Sequence, residues 1–256
     1  MKIDTSKMVA LKVCKHELRS LMKQKLATVS SESITEQSEC IFKSISQINQ
    51  YQNAKRICVY LSMATGEVQT DAIVRDAFNR GKQVFVPYIP KISLKKALTT
   101  PSPRMEMVEL FSLVDYESLK QDKWGIPSID PKSLDQRESI LRDSSKVLDL
   151  IIVPGVAFQI DPTTKFVRRL GHGKGYYDSF LQEYGANFLS KHKMSSHPTV
   201  PLYGLSLKEQ YLLHEPGIEV PIEQHDYNLD GILIGDGRFY QAPNPPNQHD
   251  TEVGED

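Results

Sequence analysis

The sequence predicts an α/β domain in which N-terminal helices lie against a mostly parallel sheet. Three observations carry this. A strand, a helix and a second strand follow one another with short connections between residues 57 and 86, the pattern of a βαβ unit, whose strands run parallel. The later strand-like segments, DLIIV at 149–153 and GILI at 231–234, are apolar without alternation, as in a sheet covered on both faces. The first 50 residues instead repeat apolar side chains at helical spacing.

Residues 8–28 read as a helix, with Leu11, Leu18, Leu21, Met22 and Leu26 as its apolar stripe. A second helix begins near Ser33. Ser33 and Glu36 form a capping-box pattern, and Ile34, Ile41, Phe42, Ile45 and Ile48 supply the buried face. Ile57–Leu61 is the first strand. Thr70–Arg80 is the next helix, with Thr70 as N-cap and Gly81 just past its end. Gln83–Val86 forms a strand that Pro87 is expected to stop. Met105–Leu110, Asp149–Val153, Pro201–Leu205 and Gly231–Ile234 complete the strands. Residues 1–240 are expected to form one domain, with surface insertions at 90–103 and 185–198. The tail 241–256, almost without apolar side chains, is expected to be disordered.

The 256 residues carry 31 Lys and Arg against 32 Asp and Glu, a formal net charge of −1. A nucleic-acid coat, which calls for a basic excess, is not expected. No stretch reaches the roughly eighteen apolar residues of a membrane helix. The N-terminus lacks a secretory apolar region, carries Asp4, and has no Arg before Arg19, so a cytoplasmic protein is expected over a mitochondrial one. Cys14, Cys40 and Cys58 are odd in number, lack C-x-x-C spacing and sit in apolar surroundings. They read as reduced core thiols, and no Cys or His pair has zinc-ligand spacing. His16, His214 and His225 read as structural or surface residues.

The chemistry concentrates in VRRLGHGKGYYD, residues 167–178. Glycines at 171, 173 and 175 leave backbone N–H groups uncovered, so the chain can wrap an anion. Arg168, Arg169, His172 and Lys174 add positive charge. The segment from Tyr176 is helical in character, and a helix N-terminus favours phosphate. Asp178 stands where a carboxylate can meet a magnesium ion bridging phosphate oxygens. The run matches neither the P-loop nor the dinucleotide fingerprint, and a ligand-free basic hairpin is the competing interpretation.

RRLGHGKGYYD, preceded by DLIIVPGVAF, resembles the 5-formyltetrahydrofolate cyclo-ligase (methenyltetrahydrofolate synthetase) family. KHELRSLMKQKL, YLSMATGEVQTDAI, WGIPSID, YGLSLKEQYL and PIEQHDYNLDGIL resemble further blocks of it, in the family's order, over most of residues 8–235. The resemblance implies a three-layer α/β/α sandwich of the kind also used by sugar-phosphate isomerases and CoA transferases. It implies closure of 5-formyltetrahydrofolate to 5,10-methenyltetrahydrofolate through a phosphorylated formyl intermediate, with ATP as co-substrate and Mg2+ as cofactor. The expected partners are therefore small molecules, ATP and a reduced formyl-folate, acting on a monomer.

By the same resemblance, Lys15 and Arg19 match the ATP-binding pair, four residues apart on one helix face; a solvated basic face is the alternative. Arg169, Leu170, Gly171, His172, Gly173, Lys174, Gly175, Tyr176 and Tyr177 match the ATP loop, with Lys174, Arg169 and Tyr176 as the catalytic candidates. His172 departs from the pattern, an Arg being frequent there in related animal sequences. Asp178 and Asp226 match the two metal-associated carboxylates. Leu61, Met63, Glu67, Trp124, His172 and Tyr176 match the substrate-binding positions. Glu67 suits the paired N–H donors of a pterin edge, and Trp124, the single tryptophan, is read either as a stacking face or as a core or interface anchor. An isomerase or transferase on the same fold, and a non-catalytic binder, are the competing functions; neither needs both the Lys15/Arg19 pair and an intact loop.

Overall fold

The computed structural model describes residues 5–90, 104–142, 147–192, 200–213, 218–223 and 225–243. A seven-stranded sheet forms its centre, in the order β11-β10-β9-β6-β1-β2-β3. The strands are β1 (Arg56–Cys58), β2 (Gln83–Tyr88), β3 (Glu106–Leu110), β6 (Leu150–Val153), β9 (Leu202–Ser206), β10 (Gly231–Ile234) and β11 (Phe239–Gln241). The five inner strands are parallel, while β3 and β11 close the two edges antiparallel.

The sheet is covered on both sides because its strands alternate between two apolar clusters. Ile57, Val84, Val86, Leu150, Ile152, Leu205 and Leu233 face one cluster. It is capped by Ile34, Ile41 and Ile45 of α2 (Ser31–Ile45), Tyr51 of α3 (Asn49–Asn53), and Ile73, Val74 and Ala77 of α4 (Asp71–Asn79). Cys58, Phe85, Ile151, Val153, Ile232 and Ile234 face the other, against Phe180, Leu181 and Tyr184 of α6 (Tyr176–His192). The expected three-layer arrangement follows. A satellite cluster seats α1 (Thr5–Leu26) through Met22 on Val156, Ala157, Leu170 and Val220. Those partners frame a separate ribbon, β7 (Ala157–Ile160) paired antiparallel with β8 (Val167–Leu170). A smaller ribbon pairs β4 (Lys120–Gln121) with β5 (Pro127–Ser128), after the short helix α5 (Leu113–Glu117).

Several expectations are corrected. The N-cap of α2 is Ser30, whose hydroxyl accepts from the Ser33 amide at 3.2 Å; Ser33 lies inside the helix, so the Ser33/Glu36 capping box does not form. Thr70 occupies the N-cap of α4 without a capping bond. Its buried hydroxyl donates to Tyr60 O at 2.7 Å instead, tying the helix start to the segment after β1. Gly81 takes the expected left-handed turn, φ 70°.

Pro87 does not stop β2, because its missing N–H falls on the side of β1, beyond that strand's last pairing at Phe85, so the ladder to β3 loses no bond. Strand β1 ends at Cys58, since the chain from Val59 turns toward the cleft. Leu21 is exposed rather than packed. Of the thiols only Cys58 is buried; Cys14 is exposed and Cys40 half-buried, and all three are free. Residues 185–192 belong to α6 rather than to an insertion, because Tyr184 carries the helix onto the sheet; 193–199 and 91–103 lie outside the described residues. Gln241 ends strand β11 instead of opening a tail, and 244–256 lie outside the described residues.

The winding places the site. From β1 the chain runs to β2 on one side, and from β6 to β9 and β10 on the other. In an open α/β sheet the crevice beyond the carboxyl ends of the strands at such a reversal receives ligands. Met63, after β1, and Pro154, after β6, line the cleft found there.

Candidate active site

The cleft has a volume of about 1520 Å³. One wall is the glycine-rich loop 171–175, hung between β8 and α6. Among the described residues, no backbone N–H from Gly171 to Gly175 donates to another protein group. These donors are left unpaired just before a helix N-terminus, the arrangement that receives phosphate oxygens. Gly173 holds φ 88°, and a Cβ there would stand 3.2 Å from Arg19 Cζ. The turn thus needs glycine for both its conformation and the guanidinium laid across it.

Lys15 and Arg19 reach the cleft from α1. Arg19 Nε donates to Gly171 O at 2.8 Å, which fixes the loop to the helix. Desolvation pulls the Arg19 pKa down, and Asp226 and Glu223 oppose that. Lys15 is only 7% exposed. Its ammonium lies 2.6 Å from Asp226 Oδ2 and 3.2 Å from Glu223 Oε2. These acids share a tight turn, in which Glu223 N donates to Asp226 Oδ2 at 2.6 Å and Asp226 N to Glu223 O at 3.0 Å.

Arg169 is buried beneath the loop. It donates to Asp178 Oδ1 at 2.8 Å and to Pro154 O at 3.3 Å, and its guanidinium carbon lies 5.7 Å from the centre of the Tyr177 ring. Asp178, in the first turn of α6, also accepts from the Tyr227 amide at 3.4 Å. Asp178 and Asp226 thus each face a cation. The group whose ligand atoms converge within 4.8 Å is Glu223, His225 and Asp226, without Asp178. His225, read above as a structural or surface residue, stands 3.1 Å from Glu223 Oε2.

Lys174 is exposed on the loop and makes no ion pair among the described residues. The His172 imidazole is held below its ordinary pKa by desolvation, then by Arg169 and Arg19, which favours its neutral form. Leu170 is buried in the satellite cluster; Tyr176 opens α6 and lines the cleft with Tyr177.

The opposite wall carries Met63, Ile89, Ile126 and Trp124. Trp124 is 64% exposed, which removes its reading as a core anchor. It sits on the β4–β5 turn, where Asp122 Oδ1 accepts from the Trp124 amide at 2.8 Å and the Ile126 amide at 3.1 Å. Glu67 and Leu61 are buried behind Met63, and neither lines the cleft surface. Burial raises the Glu67 pKa to about 7, against a bond from the Met63 amide that lowers it. The Glu67 charge also raises the Tyr177 pKa, after the larger effect of burial.

Five buried side-chain polar atoms among the described residues lack a partner, and three of them, Arg169 Nε, Tyr177 OH and Glu223 Oε1, belong to cleft residues. Buried polar groups are normally paired, so this clustering marks the cleft as built for something that completes it. Sequence reading missed Glu223, Asp122, Lys123 and Ile89. Glu223 was visible within the block PIEQHDYNLDGIL, three residues before Asp226.

Fold and cleft together define an α/β protein in which a glycine-rich loop, two helix-borne cations and an exposed tryptophan share one crevice. Comparison with known proteins narrows this. A profile of the 5-formyltetrahydrofolate cyclo-ligase family matches residues 11–235. The chain is 34% identical over 226 residues to a probable 5-formyltetrahydrofolate cyclo-ligase of Caenorhabditis elegans, covering 88% of this chain and 95% of that one. It is 34% identical over 230 residues to the 5-formyltetrahydrofolate cyclo-ligase of Mus musculus, covering 89% and 97%. The solved structure of a 5,10-methenyltetrahydrofolate synthetase from Mycoplasma pneumoniae shares the fold, with a TM-score of 0.50 at 17% identity, covering 88% and 99%. The chain belongs to the 5-formyltetrahydrofolate cyclo-ligase family, a family of enzymes.

Proposed function

We propose that the chain closes 5-formyltetrahydrofolate to 5,10-methenyltetrahydrofolate at the expense of ATP, releasing ADP and phosphate. The observation that carries this reading is the meeting, in one cleft, of the open-amide loop 171–175, Lys15 and Arg19 with the exposed Trp124 face. A triphosphate needs the first set; a flat pterin needs the second. The family and the names of its relatives support the substrate.

The formyl oxygen is a poor leaving group. Its attack on the terminal phosphorus of ATP expels ADP and gives a phosphorylated, imine-like carbon. The neighbouring folate amine then adds to that carbon, loses its proton, and phosphate departs with the oxygen. The protein's part is to position and to neutralise charge. The loop amides and Arg19 grip the phosphate chain at Arg169–Tyr177. Lys174, without an ion pair among the described residues, closes on the transferring group, and Tyr176 orients it from the start of α6. Arg169 holds Asp178 and the loop in place from below. His172, being neutral, contributes its backbone amide. Met63 and Trp124 pack the pterin; Glu67, buried behind Met63, accepts from the Met63 amide and supports that wall.

Asp226 offers Oδ1 to magnesium, since Lys15 engages its other oxygen, and its neighbours Glu223 and His225 bring ligand atoms within 4.8 Å of it; Asp178 offers Oδ2 from the loop side, Arg169 holding its Oδ1, and Mg2+ favours one or two carboxylates with substrate phosphates. Bound there, the ion would neutralise phosphate oxygens. Action as a monomer is proposed, to be checked by sedimentation. Among the described residues no helix is long and apolar enough to cross a membrane. The cytoplasm is the proposed compartment, to be checked by fractionation, since a relative from Arabidopsis thaliana is named as mitochondrial.

The test mixes the protein with 5-formyltetrahydrofolate and Mg-ATP and follows the near-ultraviolet band of the methenyl product. ATP bound but unspent, with no product, would sink the reading.

A further inference from the structure

The cleft looks basic in the sequence, yet its helix-borne cations do not stand free. Lys15 is enclosed by Asp226 Oδ2 and Glu223 Oε2. Arg19, one turn on, senses the same two carboxylates. Two positive charges thus meet two negative ones where the phosphate chain is proposed to bind. Asp226 has a second task, as the proposed metal carboxylate. Glu223 has none in the mechanism above. Its Oε2 faces Lys15 and the exposed His225 at 3.1 Å, and its Oε1 is buried without a partner among the described residues. Its side chain is 14% exposed, so water screens its charge poorly.

We propose that Glu223 is a specificity-determining residue that makes the cleft reject metal-free nucleotide and accept the metal–nucleotide complex. The proposal rests on the ATP reading above. A metal-free nucleotide brings three or four negative charges against a pair of cations already balanced by carboxylates. Glu223 repels it and withholds Lys15 from it. A metal–nucleotide complex brings fewer net charges and a cation that welcomes the same carboxylate field. Glu223 therefore costs the free nucleotide more than the complex, and the difference between the two affinities measures its charge.

The test is Glu223→Gln, which keeps size and hydrogen-bonding capacity and removes the charge. A non-hydrolysable ATP analogue is titrated in EDTA and again in excess Mg2+, by calorimetry, with thermal melting to confirm the fold. The wild type should bind the magnesium complex more tightly. In Glu223→Gln the ratio of the two affinities should fall about tenfold, the scale of one unit charge removed from a partly screened site. Glu223→Asp, which restores the charge, should recover most of the wild-type ratio. An unchanged ratio in Glu223→Gln, with both affinities altered equally or not at all, overturns the assignment while leaving the ATP reading intact. Wild-type protein that binds neither form overturns the ATP reading and this assignment with it.

Discussion

Replacing Asp178 by Ala isolates the buried ion pair beneath the loop. The Arg169 side chain is 4% exposed, and Asp178 is its only carboxylate partner among the described residues. Without Asp178 the guanidinium keeps the Pro154 carbonyl and the Tyr177 ring but loses its counter-charge. Breaking one side of a buried pair costs about 3–5 kcal/mol. Because Asp178 is itself 16% exposed, water can reach the vacated side, and the lower end, about 3 kcal/mol, applies. At roughly 2–4 °C per kcal/mol for a chain of this size, the melting temperature should drop about 6–12 °C. Urea denaturation gives the free energy directly. The double replacement Arg169→Met with Asp178→Leu removes both charges, so it should regain most of that stability while nucleotide binding stays lost. A loss under about 1 kcal/mol in the single variant, or strictly additive losses in the double, would refute the buried-pair account.

Three further outcomes follow from the same geometry. Glu67 is protonated in the folded state up to about pH 7 and in the unfolded state only up to about its ordinary 4.5. The native chain thus holds the extra proton between those values, and the Glu67 contribution to stability falls by about 3 kcal/mol as pH rises across that window. Glu67→Gln should lack that fall and exceed the wild type in stability at pH 8, seen by urea melts at pH 5 and 8; parallel pH profiles would contradict it. Gly173→Ala must adopt φ 88° beside Arg19, costing about 1–2 kcal/mol, and should weaken nucleotide binding about tenfold by calorimetry. Trp124→Ala, at an exposed site, should leave the melting temperature unchanged and raise KM for the formyl-folate about fivefold, the loss of roughly 1 kcal/mol of ring stacking.

The layers of the fold were legible because burial on both faces writes itself into the strands: LIIV and GILI are buried at every position. Edges were not. Strand β11, FYQ, is half-exposed, and its pairing to β10 depends on a turn at Asp236–Gly237 rather than on its own composition. The α2 cap was misplaced because Ser30 and Ser33 both fit an N-cap pattern, and only backbone geometry selects between them. In the site, the loop and the Lys15/Arg19 pair were legible as local motifs, since glycine spacing and an i, i+4 face are short-range properties. What was not legible is who neutralises whom. Glu223 lies 208 positions from Lys15, and Asp178 meets Arg169 only because β8 and α6 fold back around the loop. Pairings of that kind are set by topology, not by neighbours in the chain.

The cleft draws on residues 15, 16, 19, 63, 89–90, 122–124, 126, 154, 169–178, 223, 225 and 226. No segment of the chain holds the site alone, so a chain still emerging from the ribosome has nothing with which to grip a nucleotide. Occupancy becomes possible only when the last of these strands is in place. A ligand that binds only this finished state holds all of it together, by RT ln(1 + [L]/Kd).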